Sequence, residues 1–186
     1  MQHSAIFLDR DGVVAESRRH RGTPTPPESV EDLVVPDGAA AALRSLREAG
    51  YLLVVITNQP DVARGTTTRE TVEEINGHLR DVLPLDDVYT CVHDGDACEC
   101  RKPRPGLLLE AARDHSLDLP RSWLIGDRWV DIAAGRAAGT RTVMLERDYS
   151  WDPTSHGAPP PGLRPDAVGA DLDACVAAIR AAGPRG

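Results

Sequence analysis

The run Tyr51–Ile56 (Y-L-L-V-V-I) is apolar at every position, and no other feature of the sequence narrows the fold as much. A strand with one wet face alternates in polarity, whereas a strand with no polar face must be covered on both sides. Short runs of the same kind stand at Ala5–Leu8, Val88–Val92, Ser122–Ile125 and Arg141–Leu145. The stretches between them carry helix punctuation. Pro36-Asp37-Gly38 opens an Ala/Leu-rich segment that reaches about Ala49 and stops at Gly50. Thr68 caps a helix predicted to reach about Leu83, with acids in its first turn. Further helices are predicted over Pro105–His115, Val130–Ala138 (ended by Gly139) and Leu172–Ala182. Tyr149–Pro165 is rich in Pro and Gly and reads as a loop, with Ala167-Val168 a short edge strand beyond it.

Strand-then-helix repetition with apolar strands predicts a three-layer α/β/α, Rossmann-like fold around a parallel sheet. At 186 residues the chain suits one domain, 1–186, with small insertions. Ligands of such sheets gather at the carboxyl ends of the strands, where the strand order reverses. A formal charge of −8 and 4% aromatics argue against a nucleic-acid-coating protein. No apolar run approaches the roughly 20 residues that span a bilayer, and Met1-Gln2-His3-Ser4 does not begin a secretory signal. The expectation is a cytoplasmic monomer with no nucleic-acid or membrane partner.

Of the 21 basic residues only Lys102 is a lysine. A compact ammonium and a planar guanidinium do different work, so this position asks why Arg would not serve. The acids that matter fall at strand ends. Asp9-Arg10-Asp11-Gly12 follows the first strand, and carboxylates spaced i, i+2 can leave one for an electrophile and the other for proton transfer. A plain polar turn is the bland alternative. Ile56-Thr57-Asn58-Gln59 ends the second strand with groups able to hold phosphate oxygens, and Asp127 and Asp131 follow the fourth. Three carboxylates at neighbouring strand tips repel unless a cation and a lysine lie among them, and oxygen ligands suit Mg²⁺. Cys91, His93, Cys98 and Cys100 crowd into one short loop, 91–101. They offer a closed tetrahedral zinc site or, alternatively, an inconsequential cluster of reduced cysteines.

The ordered set Asp9-Arg10-Asp11-Gly12, Thr57-Asn58, Lys102-Pro103 and Gly126-Asp127…Asp131 resembles the four motifs of the haloacid dehalogenase superfamily of phosphatases. The Cys-x-His…Cys-x-Cys pattern ahead of Arg101-Lys102-Pro103 is similar to the zinc-containing branch. That branch holds D-glycero-D-manno-heptose 1,7-bisphosphate phosphatases and histidinol-phosphate phosphatases. The resemblance implies a haloacid dehalogenase fold in which Asp9 attacks phosphorus and Asp11 acts as general acid and base. It implies Mg²⁺ held by Asp9, the backbone carbonyl of Asp11 and Asp127, and structural zinc held by Cys91, His93, Cys98 and Cys100. Thr57 and Lys102 would steady the phosphoryl oxygens, with Asp131 supporting them from beside the site. The gaps between motifs are too short for a cap domain, so loops must shape the pocket.

The sequence Pro60-Asp61-Val62-Ala63-Arg64-Gly65 and the run Pro103-Arg104-Pro105-Gly106 are similar to the heptose branch. Asn58, Arg64, Arg101 and Arg104 are the candidate substrate contacts for a small phosphorylated sugar. The short gap between His93 and Cys98 is nearer the histidinol branch, and Val14–Pro27 lacks the Gly-Tyr-Val element expected of a heptose enzyme. Arg18, Arg19, His20 and Arg21 could grip a phosphate or form a mobile loop. Another sugar phosphate, or a phosphate-binding module without turnover, are the remaining alternatives.

Overall fold

The structure is a computed structural model that describes residues 3–20, 23–95 and 98–183. β1 (Ala5–Leu8) leads through a short antiparallel hairpin, β2 (Arg18–His20) and β3 (Thr23–Thr25), to helix α1 (Ala39–Glu48). Then come β4 (Leu52–Asn58), the single turn α2 (Asp61–Arg64), α3 (Arg69–Val82), β5 (Asp87–Cys91) and α4 (Gly106–Asp114). The chain finishes with β6 (Trp123–Gly126), α5 (Trp129–Ala138), β7 (Arg141–Leu145), β8 (Ala167–Gly169) and α6 (Leu172–Ala182).

Six strands form one sheet in the order β5-β4-β1-β6-β7-β8, and every neighbouring pair is parallel. The chain builds outward from β1 to β5, then crosses back to β6 and builds the other way. The reversal lies at β1, so the tips of β4, β1 and β6 frame the crevice where a ligand is expected.

Strand alternation sorts the core into two layers. Ile6 and Leu8 of β1, Leu53 and Val55 of β4 and Ile125 of β6 face α1, α3 and α6, contributing to one cluster with Leu43, Leu46, Ile75, Leu79 and Ile179. Ala5 and Phe7, Val54 and Ile56, and Leu124 face the opposite way, toward Leu107, Leu108 and Ala111 of α4 and Ala134 of α5. Both faces are apolar because both are covered, which is why β4 shows no alternation.

Helix ends follow local chemistry. The Thr68 hydroxyl accepts from the Thr71 N–H, and Asp171 does the same for Ala174. Gly50 and Gly139 take the left-handed backbone that stops α1 and α5.

Two details differ from the sequence reading. The second strand runs on to Asn58, so Thr57 and Asn58 pair with Thr90 and Cys91 rather than lying beyond the sheet. The hairpin β2–β3 was not expected, because R-R-H and T-P-T carry no apolar alternation and Pro24 cannot donate to a ladder. Among the described residues neither gap between motifs holds a cap; the hairpin and the loop 153–156 overhang the strand tips instead. No helix there is long and apolar enough to cross a membrane.

Candidate active site

Three acids converge at the sheet's reversal point. Asp9 leaves the tip of β1, its N–H still paired to the Ile125 carbonyl of β6 at 2.9 Å. Asp127 follows β6, and Asp131 lies in the first turn of α5, where its Oδ2 accepts from the Arg128 N–H at 3.0 Å. Carboxylate oxygens of Asp9, Asp127 and Asp131 all lie within 4.8 Å of one another. Gly126 permits this approach, since a Cβ there would overlap the Asp131 side chain.

Lys102 reaches into the cluster from the loop after β5. Its Nζ stands 2.7 Å from Asp9 Oδ1 and 2.6 Å from Asp131 Oδ1, and donates to the Ile56 carbonyl at 3.1 Å. Only 2% of the residue is exposed. Oxygens from three sides around one nitrogen suit an ammonium with three donors; a flat guanidinium has neither the shape nor the room. Arginine therefore would not serve at this position.

The electrostatics of the cluster follow from burial. Burial opposes the charge of Lys102, but Asp131 and Asp9 outweigh it and hold the ammonium's pKa above the ordinary value. Asp9 is pushed well above the carboxylate range by burial, with Lys102 pulling back and Asp131, Asp127 and Asp11 adding to the rise. Asp127 is pushed up to about 7, again chiefly by burial and then by Asp131. One lysine does not neutralise these acids. Asp127 Oδ1 is also buried without a hydrogen-bond donor among the described residues. An orphaned oxygen among acids that resist ionising is what a divalent cation would satisfy, so the donor set fits Mg²⁺.

Asp11 is not in that cluster. Its Oδ1 accepts from Arg10 Nε at 3.0 Å, and its Oδ2 from Arg10 Nη2 at 3.1 Å and Gln59 Nε2 at 2.7 Å. The fully buried Arg10 in turn donates to the side-chain Oδ1 of Asn76 at 3.1 Å. Gln59 also donates to the Thr57 hydroxyl at 2.8 Å, which puts the buried Thr57 beneath the cavity rather than on its wall. Arg10 and Asn76 are not among the site residues the sequence points to, and Gln59 is there only as part of a strand end; a charged residue inside a strand-tip motif is the usable signal for Arg10.

Beside the acids, Cys91, His93, Cys98 and Cys100 gather with ligand atoms within 4.8 Å. Cys91 and Cys100 sulfurs lie 3.0 Å apart, Cys98 and Cys100 3.3 Å, and His93 Nδ1 is 3.3 Å from Cys100. Three thiols and an imidazole closing on one point are a donor set for tetrahedral zinc.

The candidate substrate arginines are engaged by the loops around them. Arg64 forks onto Asp94 with two 2.8 Å bonds, which holds that acid's pKa down to about 2. The buried Arg101 donates to His156 Nε2 at 3.1 Å and to the His93 carbonyl at 3.3 Å. Arg104 donates to the Cys98 carbonyl at 2.6 Å and does not line the cavity. Asn58 exchanges two hydrogen bonds with the Lys102 backbone, both at 3.1 Å, while still facing the cavity. Arg18 pairs with Asp32 at 2.6 Å, away from the cavity lining; Arg21 and the side chains of Arg19 and His20 lie outside the described residues. The cavity itself, about 440 Å³, opens onto Asp9, Asp11, Lys102, Asp127 and Asp131 and is walled by Thr25, Arg64, Arg101 and His156.

The model for haloacid dehalogenase-like hydrolases matches residues 2–136, and a second, HAD-hydrolase-like model matches 99–175. The chain belongs to the haloacid dehalogenase-like hydrolases. Within them it is similar to the D-glycero-β-D-manno-heptose-1,7-bisphosphate 7-phosphatase of Yersinia pestis, at 36% identity over 77% of this chain and 80% of that protein. The enzyme of the same name from Rhodopseudomonas palustris is 39% identical over 76% of this chain and 83% of its own. Among solved structures, the D,D-heptose 1,7-bisphosphate phosphatase of B. bronchiseptica, complexed with magnesium and phosphate, superposes with a TM-score of 0.76. It is 28% identical and covers 97% of this chain and 99% of its own.

Proposed function

We propose that this chain is a Mg²⁺-dependent phosphomonoesterase that removes the 7-phosphate of D-glycero-D-manno-heptose 1,7-bisphosphate through an aspartyl-phosphate intermediate. The observation that carries the chemistry is the buried Asp9, held on Lys102 and clustered with Asp127, one oxygen of which has no hydrogen-bond donor among the described residues. The similarity to heptose bisphosphate phosphatases supports the substrate.

Asp9 is the nucleophile: it takes the phosphoryl group and so divides one slow displacement into two faster ones. Lys102, fixed by Asp9, Asp131 and the Ile56 carbonyl, keeps a positive charge where phosphoryl charge develops. Thr57, expected to steady the phosphoryl oxygens, anchors Gln59, which in turn donates to Asp11. Asp11 donates a proton to the leaving sugar oxygen, then removes one from the water that hydrolyses the aspartyl phosphate. The Arg10 fork keeps Asp11 aimed between those two steps. Asp9, Asp127 and the Asp11 backbone carbonyl would hold Mg²⁺, whose charge would let neighbouring acids ionise together and offset the phosphoryl charge. Asp131 orients Lys102.

Cys91, His93, Cys98 and Cys100 hold structural zinc, which pins the 91–101 loop so that Arg101 and Lys102 keep their places. Asn58, Arg64 and Arg101 line the side of the cavity open to the distal phosphate. Arg104 supports the zinc loop rather than the substrate. The chain works as a single cytoplasmic domain and as a monomer.

The test is a kcat/KM comparison on heptose 1,7-bisphosphate (both anomers), histidinol phosphate and a panel of sugar monophosphates. The expected result is a preference for the bisphosphate, release of the 7-phosphate, and loss of activity in EDTA restored by Mg²⁺. A preference for histidinol phosphate overturns the substrate. No turnover on any ester overturns the enzyme reading in favour of a binding module.

A further inference from the structure

The loop after β7 grips Asp127 from two directions. The Tyr149 hydroxyl donates to Asp127 Oδ2 at 2.6 Å, and the Ser150 hydroxyl donates to the Asp127 backbone carbonyl at 2.6 Å. The loop is itself fastened to α5, because the Trp129 N–H donates to the Ser150 carbonyl at 2.9 Å and the Trp129 ring N–H to the Asp152 carbonyl at 3.1 Å. Tyr149 is 8% exposed, with the Arg128 guanidinium 5.0 Å from its ring centre. Gly12 closes the arrangement from the other side: a Cβ there would overlap Asp127 Oδ2 and approach the Tyr149 hydroxyl to 3.1 Å. The two oxygens of Asp127 are therefore unequal. Oδ2 is committed to a phenol, and Oδ1 is left without a donor among the described residues.

We infer that Tyr149 is a positioning residue that makes Asp127 a one-oxygen ligand and thereby biases the site toward Mg²⁺ over Ca²⁺. The inference rests on the reading of this cluster as a divalent-cation site. Mg²⁺ requires near-ideal octahedral geometry and commonly takes one oxygen from a carboxylate, whereas Ca²⁺ is larger and readily accepts both. A carboxylate whose second oxygen is tied to a phenol cannot offer both without losing that bond. Hydrogen-bonded partners of metal ligands typically change metal affinity by about 10- to 100-fold when removed.

The test is isothermal titration of Mg²⁺ and Ca²⁺, without substrate, into wild type and Tyr149→Phe dialysed free of loosely held divalent ions. Loss of one hydroxyl is expected to weaken Mg²⁺ by about tenfold or more while Ca²⁺ changes less or tightens, so the preference moves toward Ca²⁺ by about tenfold. Ser150→Ala, which loosens the Asp127 backbone but keeps the phenol, is expected to leave the preference within twofold. Equal loss of both ions in Tyr149→Phe, or no change in either, overturns the assignment while leaving the metal site standing. The same holds if Ser150→Ala shifts the preference as far as Tyr149→Phe does, because the selection then lies in the loop's order. A wild type that binds no Mg²⁺ overturns the cation reading and this inference with it.

Discussion

The acids at the strand tips and the basic wall beside them are built on opposite terms. In the first, Asp9, Asp127, Asp131 and Lys102 are almost fully buried, the three acids on backbone at strand tips or at the start of α5 and Lys102 reaching them from the loop after β5. Their pairing is compulsory: remove one partner and the others are left almost wholly buried without it. In the second, Arg64 and Asp94 are 44% and 37% exposed, and their loops hold them rather than the sheet. Such pairs contribute about 0–1 kcal/mol and can exchange partners. The reacting acids sit at strand tips and at the start of α5, with Lys102 buried among them, whereas Arg64 and Asp94 sit on the turn α2 and on the cysteine loop near the surface.

That contrast is breakable by substitution. The largest effect is expected at Asp9→Asn, which should lower kcat by at least about 10⁴-fold because it removes the nucleophile. The far-ultraviolet circular dichroism should stay native; residual turnover above that level would place the attacking group elsewhere. Next comes Lys102→Arg. A forked guanidinium cannot satisfy Asp9, Asp131 and the Ile56 carbonyl together, so kcat should fall about 10²- to 10³-fold, with a lower Tm. Lys102→Ala should cost about 3–5 kcal/mol of stability in denaturant unfolding, because it leaves buried acids unpaired.

The loop side should respond differently. Cys98→Ser should reduce bound zinc well below one per chain by elemental analysis and, by loosening the loop that carries Arg101 and Lys102, both raise KM and lower kcat. The smallest effect belongs to Arg64→Ala: stability within about 1 kcal/mol, kcat on a monophosphate ester within about twofold, and KM for the bisphosphate raised several-fold. If Arg64→Ala were as damaging to kcat as Lys102→Arg, the division between the two regions would fail.

The division also explains what could be read from sequence. Apolar runs and caps located the sheet and its helices because burial on both faces and Thr68, Gly50 and Gly139 leave local marks. The acids at strand tips were legible since a strand's end fixes where the next side chain emerges. The hairpin over the site was not, as its residues pack no apolar face and leave no periodic trace. Nor could spacing show that Arg104 would turn to the Cys98 carbonyl, or that Arg64 and Arg101 would engage Asp94 and His156, because those contacts are set by loop paths. Tyr149 was hidden for the same reason: it lies 22 positions from Asp127 and meets it only after β7 has turned.

The central claim is that Asp9 carries the phosphoryl group during turnover. Rapid acid quench with heptose 1,7-bisphosphate radiolabelled at the 7-phosphate tests it most directly. Wild type should show acid-stable label on the peptide containing Asp9 that chases into free phosphate within a turnover, and Asp9→Asn should show none. Label on another residue, or phosphate released at the wild-type rate by Asp9→Asn, would contradict the account.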